Sequence, residues 1–195
     1  MRGPRCCFAT ASRARAESLA SRALAQRLGA IRLSSDAERK RLAGVPDAAR
    51  LPACAYAAGQ VEAIYGGLLA HAQTVLESGY TAIVDATFLR ERNRSDFIAL
   101  ARRLGVRIVL LDFTADRATL FARVESRAAL GRDASDAGPA VLADQLARAE
   151  PLSATERALA MRFDTGGEPS AYETEAFWTP LLDALARPCL HPVSR

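Results

Sequence analysis

The stretch Gly79 to Arg94, G-Y-T-A-I-V-D-A-T-F-L-R-E-R-N-R, constrains the fold more than any other part of the chain. Tyr80 to Val84 is short, apolar and β-branched, with no room for an amphipathic helical period, so it reads as a strand buried on both faces of a parallel sheet. Asp85 closes that strand, and the run Leu89 to Leu104 that follows has helical spacing. Open parallel sheets bind their ligands outside the carboxyl ends of the strands, where such an acid stands. The competing reading makes Asp85 a simple cap for the next helix.

The same alternation runs through the rest of the chain. Ser18 to Leu28 places Leu19, Ala23, Leu24 and Leu28 on one helical face and stops at Gly29. Ala30 to Leu33 reads as a short strand, and Ser34-Ser35-Asp36 leads into a helical turn over Ala37 to Leu42. Pro46 and Pro52 mark Val45 to Cys54 as loop, and helix resumes from Ala55 to Ser78. Beyond Asp85 the pattern predicts helix over Arg90 to Leu104, strand over Val106 to Phe113 and helix over Ala115 to Leu130. A polar break, Gly131 to Pro139, precedes a helix over Ala140 to Ala149 and a loop over Pro151 to Glu156. A last strand, Leu159 to Asp164, a turn, Gly166 to Ser170, and a final helix, Ala171 to Ala186, complete it, with an unstructured tail from Pro188. Strands separated by helices form βαβ units with right-handed crossovers. The expected fold is α/β, an open, mostly parallel sheet flanked by helices, and 195 residues suit one domain.

Composition narrows the function. The net charge of +4 is carried almost wholly by arginine, Lys40 being the only lysine, which suggests a GC-rich coding sequence and a bacterial source. The arginines are scattered among acids instead of forming a basic arm, so nucleic acid is not indicated as a partner, and anionic small substrates fit as well. Cys6, Cys7, Cys54 and Cys189 lack C-x-x-C spacing and only His71 and His191 are present, which argues against a zinc site or disulfide framework. No apolar run approaches the roughly 20 residues of a membrane span. The expected setting is cytoplasmic, although Met1 to Arg15 superficially resembles a transit peptide in composition.

Four stretches together resemble a known family. They are L-G-A-I-R-L-S-S-D (Leu28 to Asp36), E-R-K-R-L (Glu38 to Leu42), V-D-A-T-F-L (Val84 to Leu89) and E-P-L (Glu150 to Leu152). They are similar to the small P-loop kinase-like AAA-family ATPases of the predicted-kinase group. These are relatives of zeta toxins, polynucleotide kinases and gluconate kinases, often fused behind an aminoglycoside-phosphotransferase-like domain. The resemblance covers Ser18 to Leu185. It implies ATP-dependent phosphoryl transfer to a small-molecule hydroxyl with Mg2+, and fusion or association with such a phosphotransferase-like domain.

Phosphoryl transfer needs a carboxylate near the attacking hydroxyl, a second carboxylate to organise Mg2+, and cations on the phosphoryl oxygens. By resemblance, Asp36 contacts or deprotonates the acceptor, Arg39 holds it, and Asp85 acts through a Mg2+-bound water. Arg123 and Arg127, spaced i and i+4, look like lid arginines over the phosphates. The plainer readings make Asp36 a helix cap and the arginine pair a solvated face bonded to Asp116 or Glu125. Thr87 and Arg90 touch substrate or simply start a helix, and Asp164 lies near the adenine or only in a turn. Glu150 and Trp178 read as structural.

The departure from the family lies at the start. A P-loop, G-x-x-x-x-G-K-[ST], uses glycines so that backbone N–H groups approach the phosphates and a lysine to reach the β- and γ-phosphates. Between Gly3 and Gly29 this chain has no glycine and no lysine; counted back from Gly29, Ser18 falls at the Ser/Thr that holds Mg2+ and Glu17 at the lysine. Arg5 to Ala16, written in GC-rich codon classes and read one base on, can spell V-L-L-C-H-G-V-S-G-S-G, an apolar strand running into a P-loop, which points to a frameshift. The expectation is an aberrant segment over 1–17 with the first strand lost or irregular, a kinase-like domain over 18–187, a disordered tail over 188–195, and weak ATP binding. Other readings are a non-catalytic pseudokinase or interaction module of the same fold, and a polynucleotide or RNA-end binder.

Overall fold

The computed structural model of the chain describes residues 5–11, 15–46, 58–130 and 139–186. Its strands are β1 (Arg5–Ala11), β2 (Ile31–Ser34), β3 (Ala82–Asp85), β4 (Arg107–Thr114) and β5 (Ala160–Asp164). Among the described residues they form one sheet, in the order β2-β3-β1-β4-β5, and every pairing is parallel. The helices are α1 (Arg15–Leu28), α2 (Ser35–Ala43), α3 (Ala58–Glu77), α4 (Glu91–Arg103), α5 (Arg117–Leu130), α6 (Pro139–Arg148), α7 (Ala154–Leu159) and α8 (Glu175–Ala186). The open parallel sheet flanked by helices is the α/β architecture expected.

The first strand, expected to be lost or irregular within 1–17, is present and central. Cys6 to Ala9 pair with Ala82 to Asp85 on one side, and Arg5 to Ala11 pair with Arg107 to Phe113 on the other. R-C-C-F-A-T-A mixes strand-favouring Phe and Thr with two alanines and has no aliphatic run, so its own residues mark it only weakly as a core strand. A slot between two apolar strands, however, satisfies its backbone groups on both edges, and such pairing outweighs local preference.

Successive side chains of a strand point to opposite faces, and β3 and β4 therefore feed two cores. On one face Ala82, Val84 and Leu110 meet Ile64 and Leu68 of α3 and Phe97 and Leu100 of α4. On the other, Ile83, Val109, Leu111 and Phe113 meet Leu24 of α1 and Trp178 and Leu181 of α8. Trp178 is fully buried and its indole N–H donates to the Tyr172 carbonyl at 2.7 Å, so the packing reading of this residue holds. A smaller cluster of Leu120, Val124 and Leu142 joins α5 to α6.

Several boundaries differ from the sequence reading. Part of the loop expected over Pro151 to Glu156 is α7, nucleated by a capping box in which Ser153 and Glu156 bond each other's backbone N–H. The final helix is broken by a 3-10 turn, Pro169–Glu173, before α8. α1 begins at Arg15, ahead of Ser18. The polar break after Leu130, most of the loop before α3 and the tail from Pro188 lie outside the described residues.

Candidate active site

Strand register sets the site. Asp85, last in β3, lies opposite Ala9 of β1 and Ser34 of β2, so the carboxyl ends of three strands meet at one edge. α2 and the β3–α4 loop start from this edge, and the sequence joins β1 to α1 there. Asp85 is buried, and its Oδ2 accepts from Ser21 Oγ at 2.8 Å, from Arg32 Nε at 2.9 Å and from Arg32 Nη2. Ser21 Oγ also lies 3.1 Å from the Ser18 carbonyl and accepts from Arg32 Nε at 2.9 Å. Neither Ser21 nor Arg32 was expected here, because they stand 64 and 53 residues from Asp85 in the chain. The available signal was an arginine inside the apolar strand I-R-L-S, which must find a carboxylate to be buried there.

Asp36 and Arg39 come together in the first turn of α2, with Arg39 Nη1 donating to Asp36 Oδ1 at 2.7 Å. Asp36 is not the cap of this helix. Ser34 occupies that position in extended conformation without a side-chain cap bond, and the Asp36 carboxylate is 62% exposed. α2 is anchored two residues on. The Glu38 carboxylate is buried, takes Arg41 Nε and Nη2 at 2.8 Å each, and lies 3.8 Å from His71 Nδ1. The Arg41 hydrogen bonds outweigh burial and, with the charges of Arg41 and His71, hold Glu38 below the usual carboxylate range. Gly67 of α3 makes room for this group, since a Cβ there would stand 2.0 Å from Glu38 Oε1.

The loop between β3 and α4 is held on every side. Phe88 has φ of +44°, an uncommon conformation for a bulky residue. Its N–H donates to Tyr65 Oη at 2.8 Å and its carbonyl accepts from Arg94 Nη1 at 2.9 Å, while Thr87 Oγ1 lies 3.5 Å from the same tyrosine oxygen. Arg94 is buried, pairs with Glu156 at 2.6 and 3.0 Å, and also donates to the carbonyls of Glu150 and Pro151. Burial pushes the Glu156 carboxyl up, but hydrogen bonds from Arg94 and Ser153 together bring it below its ordinary value. The Glu150 carboxylate accepts from the Glu91 N–H at the start of α4, so its role is structural, as the sequence indicated. Arg90 is exposed at the N-cap of α4 and makes no side-chain cap bond.

The remaining residues lie elsewhere along the carboxyl edge. Arg123 donates to the Gly167 carbonyl at 2.8 Å, tying α5 to the loop after β5, while Asp116 accepts from Thr119. Asp164 Oδ1 accepts from the Gly166 N–H at 2.7 Å, which makes a turn. Arg127 is on α5, with its side chain outside the described residues. Between the β3–α4 loop, the ends of β4 and β5, and helices α5 and α6 opens a cleft of about 590 Å3.

Tested against ATP and Mg2+, these residues do not fit. A cation at Asp85 would compete with the Arg32 guanidinium already on its Oδ2. Between Gly3 and Gly29 the sequence has neither a glycine to let backbone N–H groups approach phosphates nor a lysine to reach them.

A parallel sheet in this order, with the central strand running into α1 and an acid ending the neighbouring strand, defines a P-loop kinase-like fold. A family described as an AAA domain matches residues 18–152, and the chain belongs to that family. The fold is similar to that of a protein assigned as a kinase from Chloroflexus aurantiacus J-10-fl, with 21% identity over 94% of this chain and 98% of that one and a TM-score of 0.69. It is also similar to a sugar kinase from Janibacter sp. HTCC2649 (16% identity, 95% and 99% covered, TM-score 0.65). A gluconokinase from Sinorhizobium meliloti 1021 matches at 18% identity over 95% and 97%, with a TM-score of 0.62. No curated protein matches the chain.

Proposed function

We propose that the chain has the build of a kinase for ATP-dependent phosphoryl transfer to a small-molecule hydroxyl, with its acceptor half formed and its nucleotide half defective. The supporting observation is the Asp36–Arg39 pair, 2.7 Å apart at the carboxyl edge where β2 and β3 end side by side. In the acceptor half Asp36 takes the proton of the attacking hydroxyl, and Arg39 holds a nearby polar or anionic group of the acceptor. Thr87 and Arg90, from the β3–α4 loop and the start of α4, complete its contacts. Ser18, Asp85, Arg123, Arg127 and Asp164 belong to the nucleotide half, where Glu17 and the missing glycines oppose binding of the phosphates.

Calorimetric titration of this chain with ATP and Mg2+ should give no binding in the micromolar range, and a micromolar Kd would refute the defective half. With G-V-S-G-S-G-K-S rebuilt before Leu19, ATP binding and slow hydrolysis should appear. In that rebuilt protein Asp36→Asn should keep ATP binding and Tm but lose transfer to the acceptor; normal transfer by the variant would remove Asp36 from the chemistry. One observation favours a second reading, a non-catalytic module of the same fold. Asp85 is already neutralised by Arg32, as a residue kept for structure would be.

A further inference from the structure

The cleft beside Thr87 has an unbalanced charge. Of the arginines along it, Arg94 is consumed by Glu156, and Arg162 Nε pairs with Asp112 at 3.1 Å. Glu150, which also lines the cleft, keeps its negative charge, its carboxylate accepting only from the Glu91 N–H; against it stand Arg117 and Arg157, which form no ion pair with a carboxylate among the described residues: Arg117 lies 5.5 Å over the Phe121 ring, and Arg157 Nη1 donates to the Leu152 carbonyl at 2.6 Å. The lining also includes Phe113, Leu120 and Leu146, all apolar.

We infer that this cleft binds a small molecule in which an apolar body carries an anionic group. Guanidinium groups recognise carboxylate and phosphate through paired N–H donors, and Arg157 is already oriented by the Leu152 carbonyl. The apolar part of the lining, Phe113, Leu120 and Leu146, suits a ring or short aliphatic chain. A volume of about 590 Å3 suits a metabolite-sized ligand and not a polymer. The site lies against the acceptor half through Thr87 but needs no nucleotide, so it stands or falls apart from the kinase reading.

Phenyl phosphate joins a ring to one dianion and serves as the probe. Titrated into the full chain by calorimetry, it should bind once per chain and at least tenfold more tightly than inorganic phosphate or benzyl alcohol. Arg117→Gln with Arg157→Gln should weaken it at least tenfold at unchanged Tm. Ala149→Glu, which adds a carboxylate to the exposed rim, should do the same, whereas Arg39→Gln should leave phenyl phosphate binding unchanged. Three results would overturn the inference: phenyl phosphate binding no better than inorganic phosphate, affinity in both cleft variants equal to that of the unaltered chain, or loss of binding in Arg39→Gln, which would put the anion at the acceptor pair instead.

Discussion

Arg94→Met removes the guanidinium from the buried Arg94–Glu156 pair while keeping most of the stem. Both side chains are at most 3% exposed, so solvent screening does not soften the change. Stripping one partner from a buried pair costs about 3–5 kcal/mol, because the other charge stays buried and uncompensated. The carbonyls of Phe88, Glu150 and Pro151 lose a donor in the same step. For a chain of this size each kcal/mol lowers Tm by about 2–4 °C, so a fall of roughly 6–20 °C is expected, read by circular dichroism on heating. Arg94→Met with Glu156→Met should recover part of that loss, since no charge then remains buried. The recovery should stop short by about 1 kcal/mol, because Glu156 also completes the capping box of α7. A single-variant cost under about 1 kcal/mol, or a double variant no more stable than the single, would refute the account.

Gly67→Ala should destabilise the chain by about 1–3 kcal/mol, because the new Cβ displaces the Glu38 carboxylate; with Glu38→Ala as background the same change should stabilise by about 1 kcal/mol through helix propensity, as a urea-denaturation cycle would show. Stability should also fall on acidification. Glu38 and Glu156 have carboxyls lowered in the folded chain, so their contribution is fully present above the unfolded carboxylate value and is lost as pH drops through the lower folded values. Glu38→Gln should flatten the acid limb of a stability-against-pH curve, and an unchanged limb would mean that the Arg41 contact carries nothing.

What could be read in advance was whatever depends on nearby residues. A-I-V-D declares a buried parallel strand by being apolar without interruption, and β3 is buried at all four positions. The Asp36–Arg39 pair is three residues apart and follows from helix geometry alone. β1 was missed because its order comes from two neighbours distant in sequence, not from its own side chains. Arg94 looked like any helical arginine in E-R-N-R; its partners lie 6 to 62 residues away, and only the folded chain brings them together. α7 carried a local signal, S-A-T-E, which the proline before it disguised as loop. The cleft needed two helices, a loop and two strand ends, and no stretch of sequence announces it.

The place of β1 has a consequence for how the molecule comes apart. It is the seam of the sheet: among the described residues β2 hydrogen-bonds only to β3, β5 only to β4, and β3 and β4 meet only through β1. If those seven residues peel away, the sheet divides into two parallel pairs, one carrying Asp36 and Asp85, the other carrying Arg117 and Asp164. The strand that its own sequence marks so weakly is thus the joint on which both halves of the edge depend. Amide protons along β3 and β4 should therefore exchange through a common opening governed by β1, while those inside α3 and α4 remain protected to a higher free energy.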